Sequence, residues 1–128
     1  MTFALHVDAA RWREHIAAVR DGVREAIVSA QHVDGDLVPV IKGNGYGLGN
    51  RILAEEVRRL GLTRIAVGTI FEAAELLADT DADILVLTPF DPRDTAAAVI
   101  WQNCAAGPHH ARLIRTVADS NSWHALAA

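Results

Sequence analysis

Along this chain, apolar runs with the two-residue rhythm of strands alternate with runs of three-to-four-residue rhythm, and little filler separates them. The segments "GDLVPVIK", "TRIAVGT", "DADILVLT" and "ARLIRTVAD" read as strands, and each is followed by a helical pattern. Strands separated by helices pair parallel, because the crossover returns the chain to the same end of the sheet. Near-continuous apolar runs such as "ILVL" predict strands covered on both faces. The fold class is therefore α/β. Two layouts satisfy it, a segment of a (β/α)8 barrel and an open doubly wound sheet, and periodicity does not choose between them.

Local signals set the expected boundaries. "TFALHVD" places Phe3, Leu5 and Val7 on one face of a short opening strand, and Trp12, Ile16, Val19, Val23 and Ile27 form one stripe of a helix from about Ala9 to Ala30. Pro39 inside "LVPVIK" marks an edge or a bulge, since it has no N–H to donate. Leu53, Val57 and Leu60 make a second helical face, and Gly61 stands where a left-handed cap belongs. Thr69 and Glu72 have capping-box spacing for a helix through about Ala78, with Phe71, Ala74 and Leu77 on its inner side. Asp91 and Pro92 read as N-cap and first helical residue of the next helix, which Gly107 and Pro108 end. "SNSWHALAA" begins a last one. No repeat, low-complexity tract or linker interrupts residues 1–128, so a single domain is expected.

The segment "VPVIKGNGYGLGN" carries the chemistry. Four glycines follow Lys42, but a dinucleotide fingerprint requires G-x-G-x-x-G, and the third position is Leu48 counted from Gly43 and Asn50 counted from Gly45. A P-loop requires its lysine after the glycines, whereas Lys42 precedes them. Taken alone, Lys42 reads as a strand-end surface lysine and Tyr46 as a core aromatic with its hydroxyl reaching water. His109 and His110 are adjacent and point apart, which argues against a metal pair. Cys104 reads as a small buried hydrophobe, and Trp12, Trp101 and Trp123 as core or interface anchors. "EEVRR" reads as a solvated helix face.

Charge narrows the partners. A net charge of −4 without a basic block gives no footprint for nucleic acid or an anionic membrane, which leaves a small molecule as the expected ligand. The apolar runs are shorter than the roughly 20 residues that span a bilayer, and the N-terminus has no secretory pattern. One cysteine excludes an internal disulfide, and a cytoplasmic location is the expectation.

"VIKGNGYGLG" resembles the lysine segment of the alanine racemase family, whose first barrel strand ends in K-A-N-A-Y-G-H-G. Lys42, Asn44, Tyr46, Gly47 and Gly49 fall on that pattern, while Gly43 and Gly45 replace alanines and Leu48 replaces the histidine. The likeness extends through "HVDAARWREHIAAVR", "RIAVGTIFEAAEL" and "ADILVLTPFDPRD", nearly the whole chain. The resemblance implies a TIM-type parallel barrel and pyridoxal 5′-phosphate as cofactor. It implies Lys42 as the amine of the internal Schiff base and as a proton-transfer group in the interconversion of L- and D-alanine. It also implies Tyr46 as a ligand of the cofactor phosphate and Leu85 or Leu87 as packing against the ring. A lysine at the mouth of a barrel strand is expected to be partly desolvated, which favours its neutral form.

A closed (β/α)8 barrel takes about 250 residues, and about four of the eight units are expected here. The resemblance places the remaining cofactor ligands and a second proton-transfer tyrosine in later segments. The expectation is therefore a truncated first half, inactive alone and homo-oligomeric. The alternative is a noncatalytic α/β domain that binds a partner through open sheet edges.

Overall fold

The computed structural model describes residues 4–31 and 35–127. The chain divides into two units, Met1–Leu37 and Val38–Ala128.

In the first unit, Asp8 ends the N-terminal stretch by accepting hydrogen bonds from the Ala10 and Arg11 amides at 3.1 Å, and helix α1 (Ala9–Ser29) follows. A side-chain oxygen on those first-turn N–H groups satisfies donors that the helix itself leaves free. Arg20 and Arg24 both donate to Asp36, at 2.6 and 2.8 Å through their Nη2 atoms, and the Arg20 bond holds the Asp36 carboxyl well below the usual carboxylate range. The opening strand expected at "TFALHVD" is not formed over the part that is described. Phe3 lies outside the described residues, while Leu5 and Val7 are 78% and 53% exposed.

The second unit is built on three parallel strands, β1 (Arg64–Val67), β2 (Asp83–Val86) and β3 (Leu113–Arg115), in the order β1-β2-β3. Ile65 lies opposite Ile84 and Ile84 opposite Leu113. The strand expected at "GDLVPVIK" contracts to a single parallel bridge, Val40 to Ala66. There the Ile41 amide donates to Ala66 O and the Ala66 amide to Pro39 O, each at 2.8 Å. Pro39 can contribute only its carbonyl, which limits how far the ladder extends.

Helices α3 (Asn50–Arg59) and α4 (Ile70–Leu76) pack on β1, and α4 also packs on α5 (Thr95–Ala106). A short 3₁₀ turn, His110–Arg112, leads into β3, and α6 (Ser120–Ala127) ends the described chain. Gly61 adopts a φ of 65° just beyond α3, as the cap reading expected. The capping box is present, with the Glu72 amide donating to Thr69 Oγ1 and Glu72 Oε2 accepting from the Thr69 amide.

Two local expectations need correction. The cap sets the phase of α4 so that Ile70, Ala73, Leu76 and Leu77 are buried, and Phe71, expected on the inner side, is 45% exposed. The N-cap of α5 is Asp94, which accepts from the Ala97 amide at 2.9 Å. Asp91 instead closes the preceding turn, accepting from the Arg93 amide. Two aspartates stand three residues apart, and the one abutting the uninterrupted "TAAAVI" run takes the cap.

Burial along β2 alternates. Ile84 and Val86 are at most 1% exposed, whereas Asp83 and Leu85 are half-buried, so this strand is fully covered on one face only. The core therefore lies on the helix side, where Ile41, Ile65, Val67, Leu76, Ile84 and Val86 are the large side chains most completely enclosed. Arg115 lies over the Trp101 ring at 4.3 Å and near the Phe90 ring at 5.2 Å. Arg112 folds back to donate to the carbonyls of Leu77, Thr80 and Ala82, tying the end of α4 to the start of β2. Among the described residues no helix is long and apolar enough to cross a membrane.

The asymmetry between the two faces of β2 is testable by truncation. Ile84→Ala is expected to destabilise the fold by about 2–5 kcal/mol, and Leu87→Ala, just beyond β2 on its open side, by less than about 1 kcal/mol. Urea denaturation of the two variants measures the difference.

Candidate active site

The glycines after Lys42 are explained by handedness. From Gly43 to Gly47 every residue has a positive φ, at 64°, 50°, 62°, 54° and 87°, so the turn α2 (Lys42–Tyr46) winds left-handed through its interior. An L-residue with a Cβ pays roughly 1–2 kcal/mol for this conformation, which glycine avoids and asparagine tolerates better than most. Three of these five positions are glycine and a fourth is Asn44. Tyr46 is the exception, a bulky residue held at positive φ.

Hydrogen bonds stitch the turn at each step. The Gly45 amide donates to Ile41 O at 2.9 Å, the Gly47 amide to Gly43 O at 3.3 Å and the Gly49 amide to Asn44 O at 2.9 Å. Asn44 Oδ1 accepts from the Asn50 amide at 3.0 Å and so satisfies the first N–H of α3, whose own N-cap is Gly49. Open space surrounds a Cβ built on Gly43 or Gly47, but one on Gly45 would lie 2.9 Å from Leu53 Cδ1. Gly45 is thus required twice, by backbone angle and by packing.

Glu72 fixes this turn to the neighbouring strand end. Its Oε1 accepts from the Gly43 amide at 2.5 Å while its Oε2 accepts from the Thr69 amide at 3.0 Å. Gly68 leaves the room that this needs, because a Cβ there would come within 2.8 Å of Glu72 Oε2 and 3.4 Å of Lys42 Cβ. Sequence reasoning found Glu72 only as half of a capping box. Its reach to Gly43 spans 29 positions, and no local spacing rule signals it.

The strand register gathers three of the expected site residues. Val40 lies opposite Ala66, and Ala66 opposite Leu85. The pairing continues with the Leu87 amide on Val67 O and the Thr88 amide on Gly68 O. Two residues further along each segment come Lys42, Gly68 and Leu87, and the period-two alternation puts Leu85 and Leu87 on the face away from Ile84 and Val86. Lys42 is exposed, and among the described residues it has no carboxylate partner. That exposure corrects the expectation of a partly desolvated amine, since here the second unit builds no wall over this face. Tyr46 is 64% exposed, which removes the core-aromatic reading. Leu85 is half-buried and Leu87 is 37% exposed.

Other candidates fall away from this face. A cleft of about 610 Å³ is lined by Thr69, Thr88, Phe90, Trp101, Asp119 and Ser122 among others, and it does not include Lys42. Asp91 and Asp119, which line it, are engaged in turn and cap bonds to the Arg93 and Ser122 amides. His109 and His110 are exposed, and no group of three or more potential metal ligands occurs among the described residues. Cys104 is half-buried and burial pushes its thiol pKa up, away from the reactive thiolate. Of the tryptophans, Trp101 is a core residue and Trp123 is 62% exposed.

A family profile described as "Alanine racemase, N-terminal domain" matches residues 8–124. Among curated proteins, an alanine racemase of Staphylococcus epidermidis is 37% identical over 87 residues, covering 67% of this chain and 23% of that protein. An alanine racemase of Macrococcus caseolyticus is 41% identical over 63 residues, covering 48% and 17%. One from Lawsonia intracellularis is 31% identical over 91 residues, covering 70% and 24%. The chain spans about a quarter, or less, of the length of these relatives. No solved structure matches the chain.

The two demands on Gly45 separate it from Gly43. Gly43→Ala is expected to lower stability by about 1 kcal/mol through φ alone, and Gly45→Ala by roughly twice that or more, because Leu53 must also move. Chemical denaturation of both variants, with circular dichroism to confirm the fold, checks the order.

Proposed function

This chain belongs to the alanine racemase N-terminal domain family, and on that premise we propose that Lys42 is the amine through which it engages pyridoxal 5′-phosphate. The observation that supports this most directly is the placement of the chain's single lysine. It stands exposed at the end of the bridging segment, beside Gly68 and in the row that continues to Leu87. The eleven other cationic side chains are arginines, which stay protonated and cannot condense with an aldehyde.

The residues present suit such a cofactor in chemistry. Lys42 offers a primary amine on the less covered face, Leu85 and Leu87 offer apolar surface for a ring, and the exposed Tyr46 offers a hydroxyl for a phosphate oxygen. Pyridoxal phosphate, when bound, supplies an aldehyde for the amine and a ring that accepts electron density. Lys42 Nζ then has two tasks, to hold the cofactor and, once released, to take or return the proton on the α-carbon of a small amino acid. The activity proposed for the longer proteins built on this segment is interconversion of L- and D-alanine. The family resemblance implies further cofactor ligands and a second base outside this segment, and we propose the segment by itself as a weak amine-capture domain, cytoplasmic and without catalytic turnover.

The sheet is proposed as about four of the eight units of a TIM-type barrel. The half-covered Leu85 side of β2 favours this over a doubly wound sheet, whose strands are covered on both faces. Such a segment leaves β3 with an edge unpaired among the described residues, and we propose that it homo-oligomerises through that edge.

Two measurements test these readings. After incubation with pyridoxal phosphate and reduction with borohydride, mass mapping should find the adduct on Lys42, and Lys42→Arg should fold normally and take up none. Label found only on the N-terminal amine would refute the assignment. Sedimentation at low micromolar concentration should show self-association, and a well-behaved monomer would count against the barrel segment.

A further inference from the structure

We propose that Glu72 is a positioning residue for Lys42, holding the lysine's backbone at the end of β1 through the Gly43 amide. The inference rests on the reading of Lys42 as the cofactor's amine.

Three observations carry it. One carboxylate accepts from backbone N–H groups of two different segments, Gly43 after the bridging segment and Thr69 after β1. Charge-assisted bonds of this kind are shorter and stronger than neutral ones, and two of them on one rigid group define a distance as well as an attraction. Next, Gly68 has no side chain where Glu72 Oε2 and Lys42 Cβ both approach, so carboxylate and lysine lean on the same gap in the strand end. Finally, the turn held in this way is left-handed, and its non-glycine members, Asn44 and Tyr46, sit at positive φ. Strained backbone persists where its surroundings over-determine it, and Glu72 is the long-range contact that does so here.

Glu72 makes no hydrogen bond or ion pair with the Lys42 amine. It acts by limiting the directions from which the Lys42 stem departs. A capping residue with no further role would stabilise α4 and leave Lys42 unaffected, and this difference can be read experimentally.

The chain's single lysine makes both readouts site-specific. Reductive ¹³C-methylation of Lys42 gives one side-chain resonance beside that of the N-terminal amine. A separate, unmethylated sample reports capture of pyridoxal phosphate. Glu72→Ala removes both bonds. Glu72→Asp keeps the charge near the α4 terminus but is one methylene too short to hold both amides, and it serves if the alanine variant does not fold. Thr69→Ala weakens the same helix cap and leaves the Glu72–Gly43 bond in place. The Glu72 variants are expected to move the Lys42 resonance and to weaken capture about tenfold, whereas Thr69→Ala lowers the melting temperature and changes neither. If the resonance stays in place in the Glu72 variants, or Thr69→Ala reproduces their effects, Glu72 is only a helix cap and the proposal falls. If the parent chain captures nothing at Lys42 while the Glu72 variants still move its resonance, the cofactor reading falls and the hold of Glu72 on Lys42 stands.

Discussion

A single carboxylate closes the second unit at the end where Lys42 stands. Glu72 takes one amide from the turn after Lys42 and one from the start of α4, so two segments that no ladder joins at that point are held at a fixed separation. Much of the neighbouring sequence follows from accommodating it. Gly68 must lack a side chain, Thr69 must present both a hydroxyl and an amide, and Gly43 must turn its N–H toward the strand end. Of the two amides that of Thr69 is partly buried, and a buried group left without an acceptor costs about 1–3 kcal/mol, whereas the Gly43 amide is exposed and open to water.

What could be read from the sequence was whatever one short stretch specifies by itself. The capping box at Thr69 and Glu72, the left-handed Gly61 and the span of α1 each follow from residues a few positions apart, and each is present as expected. Strands β1, β2 and β3 lie within the apolar runs that announced them. The segment around Lys42 could be recognised by its residue pattern, and the family match over residues 8–124 agrees with it.

What could not be read depends on partners distant in the chain or on competition between equal signals. Asp91 and Asp94 both qualify as caps, and only the folded chain shows that one closes a turn while the other opens the helix. Phe71 and Ile70 differ by one step of 100° around α4, too little for periodicity to rank over two turns. The "LVPVIK" run has the composition of a strand, yet Pro39 leaves it only a bridge to Ala66. The glycines near Lys42 follow from a turn of reversed hand, in which Gly43, Gly45 and Gly47 all sit at positive φ, and no spacing rule in the sequence announces that handedness.

That reversed turn also bears on how the segment can change over evolutionary time. Connections between a strand and its following helix ordinarily absorb insertions and deletions, because their backbone is satisfied by water. Here the interval from Ile41 to Asn50 is counted out by hydrogen bonds, the amides of Gly45, Gly47, Leu48 and Gly49 meeting carbonyls within it, that of Asn50 the Asn44 side chain and that of Gly43 the Glu72 carboxylate. Adding or removing one residue would shift a side chain into a left-handed position and move the first amide of α3 off its acceptor. A change of length in this connection is therefore costly, and the reversed turn is expected to keep its count of residues.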